Sequence, residues 1–239
     1  MPLIFPPHDS ADTDGLLAVG GNLEPQTILS AYKQGIFPWP INKHLVWFSP
    51  PNRALLLFDQ LKIPKTVLKD FRRKKFNFKL NTAFEQVIKN CARSKTRKTR
   101  GTWITKEIIK SYNELNKLGY CHSFECYQGE LLVGGLYGLS IGKMFAAESM
   151  YFEESGASKL CLLALIACLS SQGFTWIDCQ QLSPLIVKFG ASEIPRNEFL
   201  LKLEQSITPE TKLAPVNSSQ LALVIDDFIS ILKNKFKIL

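Results

Sequence analysis

The sequence predicts an α+β fold: a small N-terminal domain over residues 1–52, then a larger domain over 53–239 built on a mixed sheet. Three observations predict it. Aromatic-proline clusters punctuate the chain up to Pro51, with a plausible boundary at Pro50 to Arg53. From residue 64 onward the periodicities run helix, strand, helix, helix, three strands, helix, strand, helix. The helix before the last of those strands is apolar nearly all round from Leu160 to Leu169, as a buried crossover must be. Antiparallel strands, a buried crossover and a further strand make a mixed sheet.

Taken in order, residues 1–23 are rich in Pro, Gly and Asp and read as ordered loop. A helix follows from Pro25, with Pro at its first position and Gly35 past its end. Ile28, Leu29 and Tyr32 lie on one face of it. In Ile36-Phe37-Pro38-Trp39-Pro40 the prolines forbid helix or central strand and hold Trp39 in an extended display. Lys65 to Arg73 reads as a basic helix, Phe76 to Leu80 as a half-wet strand and 83–92 as a helix. Arg93 to Arg100 is a cationic loop. Thr105 is a plausible N-cap for a helix running to Gly119. Strands follow at Cys121 to Tyr127, Leu131 to Leu139 and Met144 to Phe152, then the helix Ser155 to Ser171 and a strand Phe174 to Gln180. Residues 183–188 and 197–205 read as short helices and 218–235 as a longer one.

At 239 residues with 46% hydrophobic and 21% charged side chains, the chain has material for a real core. The net charge of +8 tilts toward a polyanionic partner such as nucleic acid. The six cysteines form no CxxC pair and several sit in apolar runs, so they read as buried thiols of a reducing compartment. Three scattered histidines argue against a metal centre. The N-terminus does not read as a signal peptide, and the most apolar run is too short to span a bilayer. These features predict a cytoplasmic protein with no membrane partner. Gly134, Gly135 and Gly138 lie inside a strand and so do not form a phosphate cradle.

Two carboxylates stand out. In Phe174-Thr175-Trp176-Ile177-Asp178-Cys179-Gln180, strand alternation puts Trp176, Asp178 and Gln180 on one face. A carboxylate beside an amide handles a proton or orients a nucleophile; the plainer reading is a strand end wetted by solvent. In the preceding strand Glu148 shares a face with Met144, Ala146 and Met150. It reads either as a pocket carboxylate with a perturbed pKa or as an edge residue. The displayed tryptophans are either stacking platforms for a base or core plugs under loops.

Several segments together carry a resemblance. They are Gly15 to Leu23, Ala31-Tyr32 with Gly35 to Trp39, and Gly101 to Thr105. The others are Leu132 to Gly138, Glu148 to Met150, Ala157 to Lys159, Ile177 to Gln180, and Gly190-Ala191 with Glu193 to Arg196. From about residue 5 to residue 205 the chain resembles the bacterial leucyl/phenylalanyl-tRNA–protein transferases. The resemblance implies an N-acetyltransferase-like larger domain. It implies transfer of Leu or Phe, less readily Met, from Leu-tRNA or Phe-tRNA to the α-amine of proteins beginning with Arg or Lys, marking them for degradation. No cofactor or metal is expected, since an aminoacyl ester is already activated.

Roles carry over residue by residue. The resemblance implies that Trp39 and Trp103 stack the terminal adenosine, with Tyr32 and Tyr112 close by. It implies that Leu136, Met150, Leu162, Leu165, Leu169 and Ile177 line the amino-acid pocket. Glu148, Asp178 and Gln180 would face the reacting centre, with Asp178 acting through or beside Gln180 to orient and deprotonate the amine. The basic segments would bind acceptor-stem phosphates. The family's usual aromatics at 165 and 169 are Leu here, Asn22 and Phe48 replace an Asp and a Trp, and no His follows the Ile177 to Gln180 segment. The rival readings are a CoA-dependent acetyltransferase, a non-catalytic RNA-binding module and a peptidoglycan-peptide ligase.

Overall fold

The computed structural model describes residues 3–94, 101–207 and 211–236. Lys95 to Arg100, most of the expected cationic loop, lies outside the described residues. In the N-terminal domain, β1 (Leu16–Val19), α1 (Pro25–Lys33), β2 (Phe37–Pro38) and β3 (Val46–Phe48) follow one another. The three strands form an antiparallel sheet in the order β1-β3-β2. Gly35 takes a φ of +74°, the left-handed conformation that ends α1. Trp47 is fully buried, donates its Nε1–H to the Gly20 carbonyl and meets the Phe5 ring edge-on. It is a core plug.

The larger domain runs β4 (Asn52–Leu57), α2 (Lys65–Arg72), β5 (Asn77–Leu80), α3 (Phe84–Ala92), α4 (Lys106–Lys117), β6 (Cys121–Gln128) and β7 (Leu131–Ile141). It continues with β8 (Met144–Phe152), α5 (Ala157–Ser171), β9 (Trp176–Gln180), α6 (Pro184–Lys188), β10 (Ser192–Pro195), α7 (Arg196–Ile207) and α8 (Ser218–Phe236). Thr105 caps α4, its Oγ1 accepting from the Ile108 N–H at 3.2 Å. Seven strands form one mixed sheet in the order β10-β4-β9-β8-β7-β6-β5. Every pairing is antiparallel except β8 with β9.

The N-terminal domain holds three short strands where the sequence reads as loop at residues 1–23 and as extended aromatic-proline segments, because runs of two to four residues are too short to show a period of two. In the larger domain three elements differ from the sequence expectation, each for a physical reason. The Asp178 strand begins at Trp176, because Phe174 closes α5: its N–H reaches the Leu169 carbonyl past Gly173, whose φ is +78°. β4 was hidden behind Pro50-Pro51, although its run Ala54-Leu55-Leu56-Leu57 is the continuous apolar pattern of a strand buried on both faces. β10 carries Pro195 and sits at the sheet edge, where a missing N–H is tolerated.

Helices cover both faces of the sheet. On one lie α2, α5 and α8, with a core that includes Leu136, Phe145, Leu165 and Ile177. On the other lie α1, α3, α4 and α7. The core there runs unbroken from Phe5, Ile28 and Trp47 of the small domain into Ile108, Tyr137 and Trp176 of the larger one. Twelve side chains of α5 are buried, which is why it reads apolar all round. No helix among the described residues is long and apolar enough to cross a membrane.

Candidate active site

β8 and β9 run parallel but share one ladder position, Ala146 opposite Asp178. Past it each strand takes an extra residue. In β8, Tyr137 faces Ser149 while Gly138 faces Ala147, so Glu148 is the insertion. In β9, Leu55 faces Asp178 while Ala54 faces Gln180, so Cys179 is the insertion. Residues 147–150 are half-buried although β8 has a neighbour on each side. The two strands therefore part beyond Ala146 and Asp178, and the gap is open to solvent. Bulges of this kind re-aim side chains.

The bulge corrects one expectation. Met144, Ala146, Glu148 and Met150 do not share a face. Met144 and Ala146 belong to the core under α3 and α4, and Glu148 points the same way toward Tyr32 and Tyr112. Met150 turns to the α5 side. A one-residue insertion reverses the alternation beyond it.

Glu148 is half-buried as a residue, but its carboxylate is enclosed by hydrogen-bond donors. Tyr32 Oη donates to Oε1 at 2.6 Å, and Gln180 Nε2 donates to the same oxygen at 3.2 Å. Tyr112 Oη lies 2.9 Å from Tyr32 Oη and 3.4 Å from Glu148 Oε2. With one proton each, the shortest chain runs Tyr112 to Tyr32 to Glu148. Burial pushes the Glu148 carboxyl up to about 7, assisted by the neighbouring Asp178 charge and opposed by the Tyr32 hydrogen bond. Burial and the same carboxylate push both tyrosine hydroxyls well up, so they stay protonated donors.

Asp178 is buried, not wet. Both its oxygens are gripped by Arg53, Nε to Oδ1 at 2.8 Å and Nη2 to Oδ2 at 2.7 Å. Oδ1 also accepts the Gln180 N–H at 2.9 Å. Gln180 therefore links the two carboxylates, its backbone N–H on Asp178 and its side-chain amide on Glu148, while the Asp178 oxygens face Arg53 and the Gln180 N–H.

Tyr32 and Tyr112 are buried partners of Glu148 and offer no ring face to a ligand. The Trp39 and Trp103 rings stack on each other, centroids 5.3 Å apart and planes 23° from parallel. No base fits between rings at that spacing, so a stacking base would lie on the pair's outer face. Leu136, Leu162, Leu165, Leu169 and Ile177 all sit at 2% exposure or less in the α5-side core. Of the six expected pocket residues, Met150 alone is more than marginally exposed, and it packs against the same core.

Residues 55–204 match the family described as leucyl/phenylalanyl-tRNA protein transferase, and residues 21–51 match that family's N-terminal domain. The chain belongs to this family. A leucyl/phenylalanyl-tRNA–protein transferase of Lawsonia intracellularis is 44% identical over 214 residues, covering 89% of this chain and 94% of that protein. One from Saccharophagus degradans is 41% identical, covering 94% and 93%. The family is one of aminoacyltransferases, and this chain is an enzyme of that kind. Among solved structures, a GCN5-related N-acetyltransferase-like protein from Streptococcus suis overlaps 70% of this chain and 62% of its own at 14% identity and a TM-score of 0.32. L-PGS from Bacillus licheniformis overlaps 68% and 51% at 11% identity and a TM-score of 0.39. Overlaps that low carry no weight here.

In this family member the residue that sequence reasoning passed over is Arg53. It falls between the two matched segments. Arg53 is 1% exposed; its guanidinium carbon lies 4.6 Å from the centroids of the Phe37 and Phe199 rings, and Nη1–H donates to the Gly35 carbonyl at 3.3 Å. One signal could have found it: a lone cation heading the apolar run Ala54 to Leu57 needs a buried anion, and Asp178 is a lone anion in another such run.

Proposed function

We propose that this chain moves leucine or phenylalanine, and less readily methionine, from aminoacyl-tRNA to the α-amine of cytoplasmic proteins that begin with Arg or Lys, marking them for degradation. The observation that carries the reading is the enclosed Glu148 carboxyl, titrating near 7 and meeting the Gln180 amide where β8 and β9 part. A protein α-amine has a pKa near 8 and must lose a proton before it attacks an ester. A base matched to within about one unit of that amine accepts its proton efficiently. The amine nitrogen then bonds the ester carbon, the bond to the terminal ribose oxygen breaks as the proton held on Glu148 passes to that oxygen, and the second proton that the nitrogen sheds on becoming an amide returns to Glu148 and leaves to solvent. Gln180 orients the amine through its side-chain carbonyl, and placement in the gap supplies much of the acceleration. Glu148 also favours a cationic first residue.

The amino-acid side chain would enter the gap past Met150 toward Leu136, Leu162, Leu165, Leu169 and Ile177. The adenine would lie on the outer face of the Trp39–Trp103 pair. The exposed face of α2, with Lys65, Lys69 and Arg72, would meet tRNA phosphates. Lys75 pairs with Glu154 at 2.8 Å, which sets the end of this basic segment against the β8–α5 connection. That connection also carries Glu153, and two carboxylates there do not favour a CoA pyrophosphate.

The test is one incubation with Leu-tRNA, acetyl-CoA and peptides starting with Arg or Ala, read by mass spectrometry. Leucine on the Arg peptide's α-amine is expected. Acetyl transfer, or no transfer, overturns the reading.

A further inference from the structure

Gln180 is held in an unusual backbone state. Its φ is +55°, a left-handed value that a residue with a Cβ rarely takes. Gln181 N–H closes a three-residue turn around it onto the Cys179 carbonyl at 2.6 Å. A turn of this hand is strained, and strain persists only where the surroundings over-determine it. Here the surroundings are two links. Asp178 Oδ1 accepts the Gln180 N–H, and Arg53 fixes both Asp178 oxygens in the parallel fork that a guanidinium alone provides. The consequence is where the Gln180 side chain goes: its amide reaches Glu148 across the parted strands.

Arg53 also reaches the small domain. Its Nη1 holds the Gly35 carbonyl, and its guanidinium lies over the ring of Phe37, two residues before Trp39. Phe199 of α7 closes the opposite face. One guanidinium thus joins the Trp39 segment to the Gln180 turn.

We propose that Arg53 is a positioning residue for aminoacyl transfer: with Asp178 it holds the left-handed Gln180 turn that aims the amide at Glu148, and it keeps that turn in register with the segment displaying Trp39. Asp178 on this account positions, and the proton goes to Glu148. The inference rests on the aminoacyl-transfer reading for what is being positioned.

Three full-length variants test it: Arg53→Lys, Asp178→Asn and the double Arg53→Gln/Asp178→Asn. Each is assayed with Leu-tRNA and an Arg-starting peptide for kcat and both KM values, beside a thermal melt. Arg53→Lys keeps the charge but loses the fork, so kcat falls about 10²-fold with KM for Leu-tRNA little changed. Asp178→Asn leaves a buried guanidinium unpaired and is impaired in both stability and kcat. The double variant leaves no buried charge, and the amide oxygen introduced at position 178 still accepts the Gln180 N–H. Its kcat recovers at least about tenfold over Asp178→Asn, the non-additivity of a coupled pair. A purely structural role would move the melts and spare the kcat of folded enzyme.

A near-normal kcat for Arg53→Lys overturns the proposal. So does a folded double variant no better than Asp178→Asn, because Asp178 would then be needed for itself. So does a double variant that fails to fold, since a neutral pair that leaves no buried charge and keeps an acceptor for the Gln180 N–H is expected to stay folded. If the wild-type chain transfers no aminoacyl group, the functional reading falls instead. The positioning claim is then read from the Gln180 side-chain amide resonance. Glu148→Gln should shift it in the wild type and leave it unmoved in Arg53→Lys; a shift in both backgrounds overturns the claim.

Discussion

At the scale of single residues, the site is a lesson in how partners redefine a side chain. Asp178 was legible in the sequence as a carboxylate inside an apolar strand, and Glu148 likewise. Their environments were not. Arg53 lies 125 positions before Asp178, and nothing local couples them. Tyr32 lies 116 positions before Glu148. The result is two carboxylates with divergent duties, one clamped by a cation and one enclosed by neutral donors. This arrangement has a cost in stability. Glu148 is held near 7 when folded against an ordinary 4.5, so the folded state binds the proton more tightly. Its contribution is fully present below pH 4.5 and is lost as pH rises through about 7. The shift corresponds to roughly 3 kcal/mol as an upper bound. Glu148→Gln should therefore raise the thermal midpoint relative to the wild type at pH 8, with the gain shrinking toward pH 5, while transfer is lost. Calorimetry across that range checks it, and a midpoint gain independent of pH would contradict it.

At the scale of elements, the helix caps, the buried crossover and the three-strand run were written in local pattern. The bulges were not, because one inserted residue leaves no mark on a period of two. The β8 bulge depends on a neighbour that sequence pattern did flag only as a strand glycine. A Cβ on Gly138 would stand 2.3 Å from the Ala146 carbonyl oxygen and 2.4 Å from the Phe145 ring. Gly138 faces Ala147, next to the inserted Glu148. Gly138→Ala forces β7 from β8 at that point and should cost about 3 kcal/mol, in the upper range for overpacking. Denaturant unfolding measures the loss. Transfer by the remaining folded protein should also drop, because the bulge that aims Glu148 is displaced. Unchanged stability would show that the strands accommodate a Cβ there.

At the scale of the whole molecule, the sequence reading captured the mixed sheet and its helical cover but not its centre. β4 comes early in the larger domain yet inserts between β9 and β10, both formed far later in the chain. Long-range insertion of this kind has no sequence period. It is also what brings Arg53 to Asp178, so the missing strand and the missing residue were one omission. The small domain contributes Tyr32 to the Glu148 cluster, the larger one Tyr112, Asp178 and Gln180, and a continuous core joins the two domains. The central claim is that this shared site transfers an aminoacyl group with Glu148 taking the proton. The groups that set its titration are Tyr32 on α1, Tyr112 on α4, Asp178 and Gln180 on β9, and Arg53 on β4. The most direct measurement is the single-turnover rate of leucine transfer from Leu-tRNA to an Arg-starting peptide against pH, for wild type and Glu148→Gln. The wild-type rate should rise through an inflection near 7, and Glu148→Gln should lose that inflection together with most of the rate, leaving only the amine's own titration near 8. An inflection near 7 that survives in Glu148→Gln at an undiminished rate would contradict the account.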